Sequence, residues 1–411
     1  MIPLRHSAAL FVGLAVSSGY PIGITASVLM PTLALRAQSR RGAYDVALSY
    51  YAGALWPLIP GAKNFFGPNV SFFVALILWA VAALLLALPW LLVWSVDVRQ
   101  ALWRAPVGLA LTIIPPLGII AWASPLTATG FLFPGTRWCG LFVCALLTGA
   151  LAVWPKRACV ALLCIAAAAN LIHPMEPAIP AGWKAINTHF AHGAPEPLAV
   201  YRVAEQIQRE ALSAQASVIV FPETVVPYWT ASTDAFWQQT LAELKASGET
   251  VLIGARIPRE QFGSGPLYDF SAELATLGGI QPVSGRPPTS TQWSPAYFNG
   301  VVIRGAQTAV FEQRIPVPVA MWNPFRRDSA PLNLEGPALL RIGNKRAAIL
   351  ICYEQLIVWP LVTAMLENPD VLVGVANDYW ATSTPIPRFQ RSAGQSWARL
   401  FEVSFVLAVN R

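Results

Sequence analysis

The sequence predicts an α-helical transmembrane bundle followed by an α/β domain. The prediction rests on composition, on the distribution of charge and on hydropathy. Over its 411 residues the chain is 55% hydrophobic and only 12% charged, whereas soluble proteins are about 25% charged. These values exclude a disordered chain, a collagen and an ordinary soluble enzyme. We expect a transmembrane helical domain at 1–174 and an α/β domain at 183–411.

Charge is divided unevenly between these two parts. Residues 1–174 contain 10 Lys and Arg against 2 Asp and Glu, and residues 175–411 contain 18 against 19. The net charge of +7 is therefore +8 from the first part and −1 from the second. A few cations between apolar runs are typical of membrane topology. The basic character thus gives no reason to expect direct nucleic-acid binding.

Apolar stretches fill the first part. A spanning helix needs about 20 apolar residues. The first stretch is interrupted by Gly19, Tyr20, Pro21 and Gly23, which predicts two short helices joined by a tight re-entry. We expect six or seven helices, and the second stretch is the weakest. The stretches are 7–35, 46–62, 69–94, 105–123, 138–154 and 158–173.

The cations between these stretches predict an orientation. With a cytoplasmic N-terminus and seven crossings, eight of them fall inside, where the positive-inside rule expects them. The C-terminal domain would then be periplasmic, in a multi-pass protein of the bacterial inner membrane. Six crossings would leave that domain in the cytoplasm. The cations inside are Arg5, Arg36, Arg40, Arg41, Arg99, Arg104, Lys156 and Arg157, and those outside are Lys63 and Arg137.

The second part alternates strand-like and helix-like segments. Several of the strand-like runs are continuously apolar, which is typical of a buried sheet in an α/β domain. A stretch rich in Gly, Pro and Ser, about 262–295, predicts a long loop. Strands are expected at 184–188, 217–221, 250–256, 298–304, 308–312, 346–352, 370–376 and 404–409, and helices at 197–214, 234–247 (capped by Ser232 or Asp234), 356–367 and 388–402.

Two positions at strand ends carry groups suited to catalysis. Glu223 follows the apolar run SVIVF, and Cys352 ends the run RAAILIC. Sites in α/β proteins form at such ends. A carboxylate there can take a thiol proton and generate a nucleophilic thiolate. The alternative is a surface acid and an unreactive core cysteine.

The short sequence motifs around these positions resemble those of a known superfamily. FPET at 221–224, ICYE at 351–354 and AND at 376–378 resemble the carbon–nitrogen hydrolase (nitrilase) superfamily, and QSWARLFE at 395–402 resembles the helix that follows. That resemblance implies an αββα sandwich with a Glu-Lys-Cys triad. Preceding helices with a Tyr-Pro re-entry resemble apolipoprotein N-acyltransferase. The overall layout also resembles the TraB-type conjugal transfer proteins of agrobacterial and rhizobial plasmids.

The chain departs from the superfamily at the lysine. The corresponding word is EQRIPVPVAMW at 312–322, where Gln313 stands at the lysine position and Met321 at that of a final acid. Arg314, one residue away, could supply a cation, although Arg and Lys are not equivalent. The last residue, Arg411, follows a strand after which the family usually continues. The α/β domain is therefore expected to be truncated at its C-terminus.

The resemblance implies a chemistry for these residues. Cys352 would attack an ester or amide carbonyl and form a thioester, with Glu223 as the base. The backbone N–H of Tyr353 and the side chain of Arg314 or Gln313 would stabilise the oxyanion. The aromatic residues Trp322, Tyr379 and Trp380 would line an acyl pocket or lie at the membrane interface.

Two functions from different classes follow. The first is a membrane-embedded acyltransferase or amidohydrolase, probed by the reactivity of Cys352. Its expected partners are a phospholipid or other acyl donor, an amine acceptor such as a lipoprotein, and the conjugation machinery. The second is a catalytically impaired relative that serves as an assembly factor of the conjugation apparatus.

No cofactor is expected. No metal site is expected either, because His189 and His192 have no third ligand nearby in the sequence.

Overall fold

The computed structural model describes residues 2–67, 71–174, 178–190, 197–259, 297–326 and 329–411. The chain divides into two compact units. The helix-rich unit contains Met1–Ile179, Lys345–Gly374 and Trp380–Phe405. The strand-rich unit contains Pro180–Asn344, Val375–Tyr379 and Val406–Arg411. Two segments of the C-terminal half therefore cluster with the N-terminal helices, which the division of the sequence at 174–183 does not anticipate.

The N-terminal part of the helix-rich unit is built from helices. Two of them, α6 and α10, are long and apolar enough to cross a membrane by length and composition, and most of their surface faces outward. The bundle of six or seven crossings stays a prediction. The described helices are α1 (Ile2–Ser17), α2 (Pro21–Ala26), α3 (Leu29–Leu35), α4 (Arg40–Leu55), α5 (Leu58–Phe66), α6 (Phe72–Val93), α7 (Ala101–Ile113), α8 (Thr129–Leu132), α9 (Arg137–Val153) and α10 (Pro155–Ile172).

Prolines break two of the predicted segments. The segment at 105–123 is wrong as a single helix, because α7 ends at Ile113 just before Pro115 and Pro116. The segment at 46–62 is likewise divided between α4 and α5, and Pro57 is the residue before α5. Proline has no N–H to donate and its ring clashes with the preceding turn, which disfavours a continuous helix at these positions, although α6 and α7 each continue through a single proline, Pro89 and Pro106. The helix is interrupted near residue 20, since α1 ends at Ser17 and α2 begins at Pro21, and a re-entry into the membrane there stays a prediction.

Ten strands form two sheets in the described part of the chain. The first has the order β1-β2-β4-β5-β6, with β3 paired to β4. In it β1, β2 and β4 run parallel to one another, and the pairs β4–β5 and β5–β6 are antiparallel. The second has the order β10-β9-β8-β7. The strands are β1 (Trp183–Ala185), β2 (Val218–Val220), β3 (Val226–Tyr228), β4 (Thr250–Pro258), β5 (Tyr297–Gly305), β6 (Ala309–Glu312), β7 (Leu339–Ile342), β8 (Lys345–Ile351), β9 (Val371–Asn377) and β10 (Ser404–Asn410).

Helices accompany these strands, and the α/β prediction is confirmed. They are α11 (Pro197–Ser213), α12 (Ala231–Ala246), α13 (Val358–Leu366) and α14 (Ile386–Phe401). The short strands β3 and β7 were not predicted. The N-cap of α12 is Thr230, whose hydroxyl accepts a hydrogen bond from the Thr233 N–H at 3.2 Å. Asp234, a predicted cap, instead pairs with Arg304 at 3.0 Å. The predicted loop at 262–295 lies outside the described residues.

Helix α14 packs within the helix-rich unit. Its Ser392 hydroxyl donates to the carbonyl of Gly19 at 2.7 Å, and Ser396 accepts from the Gly130 N–H at 3.1 Å. A Cβ at Gly130 would overlap the Ser396 carbonyl. Gly130 therefore permits a close backbone approach that no other residue would allow. This contact explains why a segment so late in the sequence clusters with the N-terminal helices.

Candidate functional site

The strand-rich unit places Glu223 at the end of a buried strand. β2 ends at Val220, and the chain turns through Thr224, whose φ is 53°. Gly254 on β4 lies against this turn, because a Cβ there would overlap the backbone of residues 222–224. The absence of a side chain at Gly254 thus lets the Glu223 segment lie close to the sheet.

Both carboxylate oxygens of Glu223 accept hydrogen bonds. Asn299 Nδ2 donates to Oε1 at 2.6 Å, and the backbone N–H of Asn377 donates to Oε2 at 3.2 Å. Glu223 is only 6% exposed. Burial disfavours the charged carboxylate and the two donors favour it. The arrangement leaves Glu223 oriented as an acceptor, which is the form that a general base requires.

Asn299 connects Glu223 to Gln313. The same Nδ2 atom donates to Gln313 Oε1 at 3.0 Å, and Thr224 Oγ1 donates to Asn299 Oδ1 at 3.4 Å. The backbone N–H of Gln313 donates to the Asn299 carbonyl at 2.8 Å. Asn299 and Gln313 are each 1% exposed. Gln313 therefore belongs to the Glu223 network as a buried neutral amide.

A second chain of amides lies behind Asn377. Its side-chain Oδ1 accepts from Asn410 Nδ2 at 3.0 Å, and Asn410 Oδ1 accepts from the Thr188 hydroxyl at 2.8 Å. The backbone N–H of Asp378 donates to the Asn410 carbonyl at 2.8 Å. The backbone that donates to Glu223 is thus anchored by β10 and by the segment after β1.

A cation and two tyrosines lie on the sheet beside Asn299. Arg256 on β4 is the register partner of Asn299 on β5 and of Tyr228 on β3. Its guanidinium lies over the rings of Tyr228 and Tyr297. Burial raises the pKa of Tyr297, with Arg256 opposing the shift and Glu223 adding to it. Tyr297 therefore lies within electrostatic range of both charges.

The segment that follows Gln313 turns sharply. Arg314 is 3% exposed, so its side chain does not face solvent. Val319 has a φ of 68°, and its N–H donates to the Trp322 carbonyl at 2.8 Å. Trp322 is half-buried. A β-branched residue in the left-handed region is rare and marks a constrained turn.

The helix-rich unit places Cys352 in a tight turn directly after β8. Cys352 has a φ of 46° and is 7% exposed. Glu354 is fully buried and accepts a hydrogen bond from the Ile351 N–H at 2.9 Å. Gln390 on α14 donates to the Cys352 carbonyl at 3.2 Å. Glu354 therefore holds the turn by bonding the backbone at the end of β8.

Tyr353 lies in the turn itself, and Trp380 lies beside helix α5 of the same unit. Tyr353 donates its hydroxyl to the Ile119 carbonyl at 2.8 Å, and burial raises the pKa of Tyr353 well above its usual range. Trp380 packs edge-on against Phe65 with ring centroids 5.5 Å apart. Its carbonyl accepts from Asn64 at 3.0 Å. Tyr379 is 39% exposed.

Comparison with known proteins gives a consistent set of relatives. No family model matches the chain. A probable conjugal transfer protein TraB of Sinorhizobium fredii is 27% identical over 98% of this chain and 96% of its own length. The conjugal transfer protein TraB of Agrobacterium fabrum is 28% identical over 96% of this chain and 89% of its own. The chain is similar to the TraB conjugal transfer proteins.

The similarity of this chain to solved structures is weaker than its similarity to these two relatives. An amidase of the nitrilase superfamily from Nesterenkonia AN1 shares 12% identity over 56% of this chain and 78% of its own, with a TM-score of 0.33. A glutamine-dependent NAD+ synthetase from Acinetobacter baumannii shares 12% identity with a TM-score of 0.29. The TraB-like chain spans 31% of that synthetase. Likenesses of this size support no functional conclusion.

The structure brings some predicted site residues together and adds others. In the strand-rich unit Glu223 and Gln313 meet through Asn299, while in the helix-rich unit Tyr353 and Glu354 surround the Cys352 backbone. The sequence analysis did not anticipate Asn299, Arg256, Tyr297 or Asn410. One feature of the sequence could have pointed to Asn299: it is a polar residue inside the apolar strand YFNGVVI. Within the described ranges no three His, Cys, Asp or Glu side chains group as a metal site, and His192 lies outside those ranges.

Proposed function

We propose that this chain is a membrane-bound acyltransferase or amidohydrolase with a cysteine nucleophile, accessory to conjugal plasmid transfer. The observation that carries the proposal is the backbone of Cys352, a buried thiol held at a φ of 46° directly after a buried strand. A non-glycine residue in this region costs about 1–3 kcal/mol and is typical of functional sites. The names of the two TraB relatives support a role in conjugation.

The proposed reaction has two steps. Glu223 accepts the Cys352 thiol proton, and the thiolate attacks an ester or amide carbonyl of the acyl donor. The tetrahedral intermediate collapses to a thioester as the leaving group departs with the proton returned by Glu223. An amine acceptor or water then attacks the thioester, Glu223 accepts the proton of the attacking group, and the carbon–sulfur bond breaks to release the Cys352 thiolate, which is reprotonated from Glu223. This proposal requires the Glu223 carboxylate and the Cys352 thiol to meet in the working protein.

The developing oxyanion requires donors about 2.7–3.1 Å away. We assign this role to the backbone N–H of Tyr353 together with Arg314 or Gln313. Arg314 would provide the positive charge that the family takes from lysine, and its burial supports a place inside the domain. Arg314→Ala is expected to lower turnover by roughly 10²-fold or more, with little effect from Gln313→Ala.

The proposed acyl donor is a phospholipid or a similar lipid, and the proposed acceptor is an amine such as that of a lipoprotein. Support comes from the helix-rich unit, where the Cys352 turn packs with apolar helices through the Tyr353 hydrogen bond to Ile119. Trp322, Tyr379 and Trp380 are proposed to line the acyl-chain pocket. Trp380 already packs against α5, an apolar helix of the same unit.

A multi-pass location in the bacterial inner membrane is part of the proposal. In the apolar segments of the long helices, only 28% of α6 and 11% of α10 is buried inside the structure. Their outward side chains include Phe73, Leu92, Leu163 and Leu171, each at least 63% exposed. Apolar surface on this scale needs a cover, and lipid provides one without a partner protein. The α/β domain is proposed to lie in the periplasm.

The test is trapping of the acyl-enzyme on the full-length protein in lipid nanodiscs. Mass spectrometry of peptides should detect a hydroxylamine-sensitive acyl group on Cys352. Cys352→Ala should abolish it and Cys352→Ser should nearly do so, because a carboxylate is too weak a base for an alcohol. Cys164→Ala, an exposed cysteine on α10, is the matched control. An acyl group that persists in Cys352→Ala would overturn the mechanism.

A second candidate function is an assembly factor of the conjugation apparatus without catalysis. It is favoured by the neutral amide of Gln313, which occupies the family's lysine position and is buried in the Glu223 network. Under this alternative an ester-mimicking or maleimide probe finds no hyper-reactive Cys352. Conjugation in cells would then survive Cys352→Ala but fail when the protein is deleted.

A further inference from the structure

Arg256 lies on the same face of the strand-rich sheet as Glu223. Side chains two residues apart on a strand share a face, and the position of Gly254 faces the backbone of 222–224. Arg256 is therefore directed to that same side. Asn299, opposite Arg256 in the antiparallel pair, also shares its face and donates to Glu223. Two independent relationships thus place Arg256 beside the Glu223 centre.

Two aromatic rings hold the Arg256 side chain. Its Cζ atom lies 5.8 Å from the ring centroid of Tyr228 and 5.4 Å from that of Tyr297. Both tyrosines and Arg256 are half-buried. Stacking on aromatic faces restricts a guanidinium and leaves its N–H edge directed to other groups. A restricted planar donor loses less freedom when it binds a ligand.

The positive charge of Arg256 has no carboxylate partner in the described part of the chain. No Asp or Glu there lies within 4.0 Å of its guanidinium, and the guanidinium donates no hydrogen bond to a described residue. By contrast, Arg304 on β5 is paired with Asp234 at 3.0 Å. A half-buried guanidinium without such partners has its donors available to a ligand.

The electrostatic surroundings are suited to an anion. Tyr297 is within range of the positive charges of Arg256 and Arg326 and the negative charge of Glu223. Cations therefore outnumber carboxylates among the charges that act on Tyr297. The Glu223 charge is in turn partly offset by its two hydrogen-bond donors.

We infer that Arg256, held between Tyr228 and Tyr297, forms a binding subsite for a phosphate-type oxyanion beside Glu223. The planar guanidinium fork can donate two parallel hydrogen bonds to two oxygens of such a group. A lipid headgroup and free phosphate both present this chemistry, and the experiment below distinguishes the two sources. The subsite goes beyond the proposed acyl transfer and does not depend on it, since the binding needs neither a thiolate nor a base.

Binding to the purified full-length protein in a neutral detergent tests the subsite. Isothermal titration calorimetry would use two probes separately, inorganic phosphate and monomeric dihexanoyl-phosphatidylglycerol. Arg256→Gln should raise the dissociation constant of the probe that binds about tenfold or more, as expected when a charge-assisted hydrogen bond is lost. Arg256→Lys keeps the positive charge without the planar guanidinium fork, and its affinity for the probe should lie between those of the wild type and Arg256→Gln. Arg341→Gln removes an exposed cation from β7 and should bind as the wild type does.

The outcomes separate the sources and the alternatives. Binding of inorganic phosphate that requires Arg256 identifies a free-phosphate site, and binding of the lipid alone that requires Arg256 identifies a headgroup site. Equal affinity of Arg256→Gln and the wild type would overturn the subsite, as would the same loss in Arg341→Gln. No binding of either probe to the wild type would also overturn it. Melting temperatures of all variants establish that the compared proteins are folded, and Arg256→Lys provides the comparison if Arg256→Gln does not fold.

Discussion

The orientation of Glu223 depends on neutral groups. One oxygen accepts from the Asn299 amide and the other from the Asn377 backbone. Asn299 does not replace Glu223 in the proposed chemistry but positions it. Because each donor favours the charged carboxylate, loss of one should make Glu223 easier to protonate.

Asn299→Ala should therefore shift the acidic limb of the pH–rate profile for Cys352 alkylation to higher pH. Asn299→Asp should shift it further, because a second negative charge disfavours the Glu223 carboxylate. Peptide-resolved mass spectrometry measures alkylation of Cys352 separately from the other cysteines. Asn187→Ala, which removes a hydrogen bond to the Val409 N–H, is the control and should leave the limb unchanged. An unchanged limb in both Asn299 variants would refute the positioning role.

At this scale the sequence predicted residue types better than partners. Glu223 and Cys352 could be found because each follows a continuous apolar run, and a buried strand must end before such polar groups. Asn299 and Arg256 could not be found in this way, since their roles arise from pairing between β4 and β5. Pairing register depends on contacts that are distant in sequence, and one chain alone does not reveal them.

Helix α14 makes a close backbone contact with α8. Gly130 meets the carbonyl of Ser396 where a Cβ would overlap. Gly130→Ala should destabilise the protein by about 1–3 kcal/mol through overpacking, seen as a lower thermal midpoint in detergent. Gly42→Ala is the control, because its Cβ would lie 3.3 Å from a movable hydroxyl of Ser39. Its midpoint should stay the same or rise. Equal midpoints for Gly130→Ala and the wild type would contradict the close approach.

The start of β8 is fixed by a carboxylate. The backbone N–H of Arg346 donates to Asp370 at 2.7 Å, and its side chain pairs with the same carboxyl at 3.4 Å. The backbone bond, and then the side-chain bond, lower the pKa of Asp370. A lowered pKa in the folded state contributes stability above the unfolded value of about 3.9, and that contribution is lost as pH falls through the folded value.

Asp370→Asn should accordingly be less stable than the wild type at pH 7. The difference in thermal midpoint should shrink as the pH falls below about 4. Arg346→Gln keeps the backbone donor and should show a smaller pH-dependent difference. A difference in thermal midpoint between Asp370→Asn and the wild type that is constant from pH 7 to pH 3 would show that Asp370 acts by packing and not by its charge.

Element types were largely predictable, whereas several element boundaries were not. The strand–helix alternation follows from the apolar runs and their spacing. The division of 105–123 follows from Pro115 and Pro116, which hydropathy averaging ignores. The cap at Thr230 was missed because Ser232 and Asp234 are equally good capping residues by type, and only the bond between Asp234 and Arg304 removes one of them.

On the scale of the whole molecule, the number of membrane crossings determines where the α/β domain acts. Two helices meet the length and composition of a span, and the cation distribution predicts seven crossings. Alkaline phosphatase fused after Arg411 should be active, because that enzyme folds only in the periplasm. A fluorescent protein fused after Asp97 should fluoresce, because that loop is expected inside. An inactive phosphatase together with a fluorescent C-terminal fusion would contradict the seven-crossing topology.

The backbone of Cys352 has a consequence for protein engineering. Glycine adopts a φ of 46° without strain, whereas cysteine does not. Replacement of Cys352 by glycine would therefore relax the turn while it removes the sulfur. A screen for heat tolerance would favour that replacement, and a screen for acyl transfer would reject it. Directed evolution of this protein for robustness alone would thus favour a form that lacks the proposed nucleophile.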